Sequence, residues 1–233
     1  RATDGAPANR NAEVPAVSQD GRWIAFSSDA DNLLPQDTNL QADVFLVDRD
    51  THEIRGVSSS AAGVQANGDS LYPSLSRDGR FIAFQSRADN LVSGDSNKTE
   101  DIFVKDAVSG AVERVNVGPS GEQANRGAEY AILSGDGRFV MFQSLADNLV
   151  AGDTNRAMDV FLRDRVAGTT ECVSRVPGGA FGNGDSEVGA VTADGAFVVF
   201  STFADNLGPV DTNGFSDVYL FDHVRQTIEL VSA

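Results

Sequence analysis

The chain has 233 residues, 41% of them hydrophobic, which is enough apolar material for a real core. Its 34 acidic residues outnumber 18 basic ones for a net charge of −16, which argues against a nucleic-acid groove or an anionic membrane surface, since both need clustered Lys and Arg. No apolar run reaches membrane-spanning length, so no membrane insertion is expected, and the single cysteine, Cys172, excludes a disulfide within the chain.

Taken in order, the chain repeats itself. An acidic loop has its first Asp at Asp31, Asp89, Asp147 and Asp205, and the later oxygen-bearing positions keep step: Asp37, Asp95, Asp153, Asp211; then Asn39, Asn97, Asn155, Asn213; then Asp43, Asp101, Asp159, Asp217. The interval is 58 residues throughout, and four copies account for 232 of the 233 residues. The chain is therefore read as a single array, 1–233, with repeats at about 1–58, 59–116, 117–174 and 175–232. Arg1 opens inside a loop of the repeat, Ala2 to Asn11 resembling Ser60 to Asp69, without a signal-peptide pattern; a processed product or a piece of something longer is expected.

The second repeat reads most clearly. Tyr72–Ser76 is a short extended segment ended by Asp78-Gly79, a hairpin signal because both residues tolerate positive φ. Phe81–Phe84 follows, apolar at consecutive positions and so expected to be buried on both faces. After the acidic loop comes a third strand, Ile102–Val104, closed by Asp106; Ser109-Gly110 turns the chain into a fourth, Val112–Asn116, whose alternating polarity suits an outer strand. No helical periodicity occurs. Each repeat is predicted to be a four-stranded antiparallel meander with two apolar faces, which must pack on its neighbours. That is the arrangement of β-propeller blades, with an antiparallel solenoid as the alternative.

The pattern Ser-x-Asp-Gly-Arg-x-Ile-Ala-Phe, at Ser18–Phe26 and Ser76–Phe84, resembles the WD40-like repeats of TolB-type propellers, and the resemblance covers the whole chain. The four repeats predict an all-β propeller of four four-stranded antiparallel blades, few beside the roughly four to eight that are typical. The resemblance implies protein docking in the periplasm or outside the cell, or use as the non-catalytic domain of a serine peptidase. The repeat here is longer than the ~40–45 residues usual for such blades, and the surplus lies in the acidic loop.

Asp-x-Asn-x-x-x-Asp places side-chain oxygens at the first, third and seventh positions of a turn. Calcium takes roughly six to eight oxygens, so the four loops are candidate calcium sites, the upstream Asp31, Asp89, Asp147 and Asp205 supplying a further ligand. The competing reading is that these residues form Asx-turns, which explain Asn32, Asn90, Asn148 and Asn206, each just before Leu. Loops between repeats add Asn9, Asn67, Asn125 and Asn183, expected on the same face as the acidic loops. These are candidate partner-binding residues or structural bridges between blades.

Catalysis has little support in the sequence. His52 and His223 are not equivalent and read as solvated turn residues with no Ser, Cys or acid matched to them; no Gly-x-Ser-x-Gly elbow occurs. Cys172 falls where the other repeats have Gly56, Arg114 and Leu230, and reads as incidental packing. Asn97-Lys98-Thr99 matches a glycosylation sequon by coincidence. The expectation is a non-catalytic, calcium-stabilised binding or scaffold module, extracellular or periplasmic, for a protein or glycan on the loop face. It stands alone or pairs as a homodimer, and the alternative is the propeller portion of a larger secreted enzyme.

Overall fold

The computed structural model describes residues 3, 5–208 and 213–232. Its strands fall in four sets. The first repeat has β1 (Ala12–Val17), β2 (Trp23–Ser28), β3 (Asp43–Asp48) and β4 (Ile54–Gly56). The second has β5 (Ser70–Leu75), β6 (Phe81–Ser86), β7 (Asp101–Asp106) and β8 (Val112–Arg114). The third has β9 (Ala128–Leu133), β10 (Phe139–Ser144), β11 (Asp159–Asp164) and β12 (Thr169–Cys172). The fourth has β13 (Ser186–Val191), β14 (Phe197–Thr202), β15 (Asp217–Asp222) and β16 (Thr227–Leu230). Each set is one antiparallel sheet with its strands in sequence order, as the meander reading predicts.

The strand limits differ from the sequence expectation in an instructive way. The second and third strands run past their apolar runs to polar ends, with Ser86 paired to Asp101 and Phe81 to Asp106. The ladder continues wherever backbone groups pair, and polar side chains can occupy its ends if they find partners of their own. Asp43, Asp101, Asp159 and Asp217 are thus the first residues of third strands rather than loop residues. The fourth strand is shorter than expected, β8 stopping at Arg114.

The chain divides into two compact units, Arg1–Val115 and Asn116–Ala233, each holding two sheets. In the first unit, Ala25, Val44 and Leu46 of one sheet share a core with Ile82, Phe84 and Phe103 of the next. In the second, Phe139, Met141, Val160 and Leu162 meet Val198, Phe200, Tyr219 and Phe221. Neither sheet of a pair could cover its own apolar face, so face-to-face burial supplies the core of each unit. Aromatic rings directly opposite on the second and third strands reinforce each sheet: Phe84 stacks on Phe103 at 5.9 Å and Phe142 on Phe161 at 5.7 Å.

The Ser-x-Asp-Gly-Arg signature is a hydrogen-bonded lock. Ser76 Oγ donates to Asp78 at 2.7 Å and accepts from the Phe81 amide at 2.9 Å, while Arg80 reaches across the sheet to both oxygens of Asp106. The same bonds recur at Ser18, Asp20, Arg22 and Asp48, and at Ser134, Asp136, Arg138 and Asp164. Gly79, at φ 70°, adds a second constraint: a Cβ there would lie 2.4 Å from the Trp23 ring of the preceding sheet. A feature with no sequence signal is the bulge in each first strand, where Val14, Tyr72 and Tyr130 adopt φ of 50°, 54° and 55°. Non-glycine residues seldom adopt this conformation, and it re-aims each first strand against its neighbour.

Candidate functional site: the carboxylate pockets of the acidic loops

Each acidic loop places its oxygen-bearing residues in two separate clusters. The first Asp joins the loop that leads into its own sheet. Asn9 Nδ2 donates to Asp31 at 2.6 Å, and Asn67, Asn125 and Asn183 do the same to Asp89, Asp147 and Asp205. Asn32, Asn90, Asn148 and Asn206 complete this clamp, each accepting from the same Asn's backbone amide and donating to a carbonyl two residues before it. Two expectations change here. Asn32 and its counterparts act across more than twenty residues of chain rather than as Asx-turns, and Asn9 and its counterparts bond within the sheet they lead into rather than between blades.

The Asx-turn falls instead at Asn39, Asn97, Asn155 and Asn213. Each accepts through Oδ1 from the amide two residues on, in Gln41, Thr99, Ala157 and Phe215. The intervening residue is left-handed: Leu40, Lys98, Arg156 and Gly214 have φ of 58–71°. Each turn is thereby fixed with the Asn amide nitrogen free to bond elsewhere. In three repeats that nitrogen reaches the Asp opening the third strand, at Asp43, Asp101 and Asp159.

The second cluster is a pair of carboxylates, and its surroundings differ from copy to copy. In the first repeat Gln65 Nε2 bridges Asp37 at 2.8 Å and Asp43 at 3.0 Å, and Ser58 Oγ donates to Asp43 at 2.5 Å. Burial pushes the Asp43 carboxyl upward against these donors. A cavity of about 410 Å3 opens beside the pair, lined by Leu34, Phe45, Gly56 and Ser59 among others. In the second repeat Arg114 Nη1 stands 3.5 Å from Asp95 and 3.4 Å from Asp101, its side chain only 9% exposed. In the third, Asp159 accepts from Ser174 and Asn155, and burial raises its carboxyl to about 6; Asp153 is also raised by burial, with Asp147 adding to it. Cys172 lies against this pair, and its thiol is pushed well up by burial and by the charge of Asp159. In the fourth, Ser232 Oγ donates to Asp217; Asp211 lies outside the described residues. Among the described residues no three Asp, Glu, His or Cys side chains come together as a metal-holding group.

One expectation about the histidines is corrected. His223 has an acid matched to it, since its Nδ1 contacts Glu171, which also accepts from Gln226. Glu171 and His223 lie 52 residues apart, off the repeat interval, so sequence spacing gave no signal for the pair. His52 occupies the equivalent turn of the first repeat, exposed and at φ 62°.

No protein-family model matches the sequence, and no curated protein does either. Solved structures do resemble the chain. TolB from Acinetobacter baumannii matches over 96% of this chain and 44% of its own, with 19% identity and a TM-score of 0.55. A putative TolB from Agrobacterium tumefaciens matches over 97% of this chain and 66% of its own, with 17% identity and a TM-score of 0.56. The β-propeller domain of the Trilobed protease from Pyrococcus furiosus matches over 95% of this chain and 57% of its own, with 14% identity and a TM-score of 0.57. The chain thus spans less than two thirds of each of these chains. With four sequential antiparallel meanders and these neighbours, the chain has an all-β fold of the TolB-like β-propeller type, built of four four-stranded blades.

Proposed function

We propose that the chain is a non-catalytic propeller module that binds a protein or glycan partner outside the cytoplasm through its acidic loops. The observation that carries this reading is the way each loop is held. Local Asx-turns and the Asn9-type clamps fix the backbone at both ends of the loop, so carboxylates stand on a preorganised surface of a stable sheet. Preorganised loops on a rigid scaffold lose little entropy on binding. The repeated Asp residues of the hairpin turns are occupied by the hydroxyl two residues before them and the backbone amide two residues after, and Glu171 is taken up by His223 and Gln226. A glycan array together with a broad hydrolase substrate panel tests the reading. A ligand without turnover is the expected result, and hydrolysis would overturn it.

Calcium belongs to this proposal at the third repeat. Asp153 and Asp159 are both buried there, and Phe181 stands at the position where Gln65 bridges the pair in the first repeat. A divalent ion completed by backbone carbonyls and water would hold both acids ionised. Thermal melts with calcium and with excess chelator should separate by several degrees; superimposable traces remove the ion. The chain's likeness to the propeller domain of a protease favours a second reading, in which it is the propeller portion of a larger secreted peptidase or polysaccharide-degrading enzyme.

A further inference from the structure

In the first three repeats one position on the fourth strand faces the carboxylate pair, and it is filled by Gly56, Arg114 and Cys172 in turn; Leu230 is its counterpart in the fourth by sequence. In the second repeat the occupant is a guanidinium. Arg114 reaches between Asp95 and Asp101, whose side chains are almost wholly buried, and neutralises them from within the chain. The first repeat keeps both acids, Asp37 and Asp43, at the same positions but replaces the arginine with Gly56. In place of the side chain there is a cavity of about 410 Å3, with Asp37, Asp43 and Gly56 all on its wall.

We propose that the first repeat's pocket binds a guanidinium group from outside the chain, in the place that Arg114 fills from within in the second. This rests on the reading of the chain as a binding module and narrows it to one ligand chemistry. The lining suits such a ligand. Leu34 and Phe45 offer apolar surface for the stem of an arginine, while Gln36 and Thr38 supply a polar rim; Ser59 is engaged by Lys105 Nζ, which bonds Ser59 and Ser60 rather than either acid. Asp37 uses Oδ1 for Gln65, leaving Oδ2 for a ligand, and Asp43 is held in place by Ser58 and Asn39. A planar fork with several donors can address two carboxylates together, which the compact, strongly hydrated ammonium of lysine does less well. Gln65 now bridges the acids as a neutral donor, so the pair carries charge that no side chain of the chain cancels in the described contacts.

The test is a titration of the protein with N-acetyl-arginine amide and N-acetyl-lysine amide, followed by the backbone amide signals of Gly56, Ser59 and Gly63. Saturable shifts with the arginine probe are expected, with affinity for the lysine probe weaker by about tenfold or more. Gly56→Arg should abolish binding by supplying a tethered guanidinium. The substitution has room, because a Cβ at Gly56 would meet Leu34 at an ordinary 3.4 Å. Asp37→Asn, nearly isosteric, should weaken binding about tenfold, and it decides the matter with the wild-type titration if Gly56→Arg does not fold. No saturable shift, an equal response to both probes, or undiminished binding in either folded variant would overturn the proposal. A Gly-Gly-Arg-Gly-Gly peptide and free arginine then distinguish the source: tighter peptide binding identifies a protein side chain, tighter free arginine a small molecule. If the arginine probes fail while the glycan array finds a ligand, the binding-module reading stands and this pocket assignment falls.

Discussion

Asp159 and Asp164 begin and end the same strand, β11, yet their carboxyls are driven in opposite directions. Asp164 accepts both nitrogens of the Arg138 fork and two turn amides, and is held down at about 2. Asp159 is fully buried with only neutral partners, the Ser174 hydroxyl, the Asn155 amide and the Cys172 thiol, and burial raises it to about 6. A full positive charge at the strand's end outweighs the cost of burial there; neutral donors at its start do not. The first repeat shows the same contrast, Asp48 lowered by Arg22 and Asp43 raised by burial, and Asp106 of the second is lowered by Arg80. The end with the arginines is built for stability. In the first and third repeats the other end keeps carboxylates that a cation could still stabilise, whereas in the second Arg114 already does so.

The largest effect should come from deleting the raised acid. Near pH 4, where the fold holds this acid in its neutral form, Asp159→Ala leaves the buried Ser174 hydroxyl without its acceptor and Asn155 with only the Gly182 carbonyl, costing on the order of 3 kcal/mol in urea unfolding. Asp164→Ala should cost clearly less, because Arg138 is half exposed and returns to water. Equal losses would break the contrast.

A pH series in chelator sharpens it. The raised Asp159 keeps its proton in the fold after the unfolded chain has released it, so its stabilising contribution is complete below about 4 and is lost as pH rises toward 6. Asp164 acts oppositely: its contribution is complete above about 4 and is lost as pH falls toward 2. The two slopes should meet near pH 4, and Asp159→Asn should flatten only the one above it. A smaller effect is expected from Arg138→Gln, which should return the Asp164 carboxyl toward the ordinary value of ~3.9 in NMR titration with a modest, salt-sensitive loss of stability. The smallest should come from Ala196→Arg. The fourth repeat lacks the cross-sheet arginine, and Asp222 takes Arg225 from its own turn instead. Because the site is exposed, the added arginine should move Tm by about a degree.

Most of the fold was legible because the repeat wrote it four times. The 58-residue interval, the Asp-Gly turns and the doubly apolar second strands are local patterns that a meander must satisfy. The site was legible only in part. Sequence spacing grouped Asp31 with Asp37, Asn39 and Asp43, but the loop separates the first from the rest, since Asn9 reaches Asp31 from 22 residues upstream. A motif reports what lies along the chain, and this division depends on what crosses it. The difference between the first three pockets lay in Gly56, Arg114 and Cys172. Their variation looked incidental in sequence because nothing there placed them against the acids. The Glu171–His223 contact was hidden for the same reason.

The turn glycines have a further consequence. Gly79 lies against Trp23, and Gly195 against Phe139, each too close for a methyl group, whereas Gly21 meets only the tip of Arg49 at 3.6 Å. Within each unit, therefore, the later copy must carry the bare backbone and the earlier one the ring. Every copy nevertheless carries both parts, a glycine at Gly21, Gly79, Gly137 and Gly195 and a ring at Trp23, Phe81, Phe139 and Phe197. The fit is a common gauge rather than a key, and a side chain at Gly79 or Gly195 would displace the ring it meets.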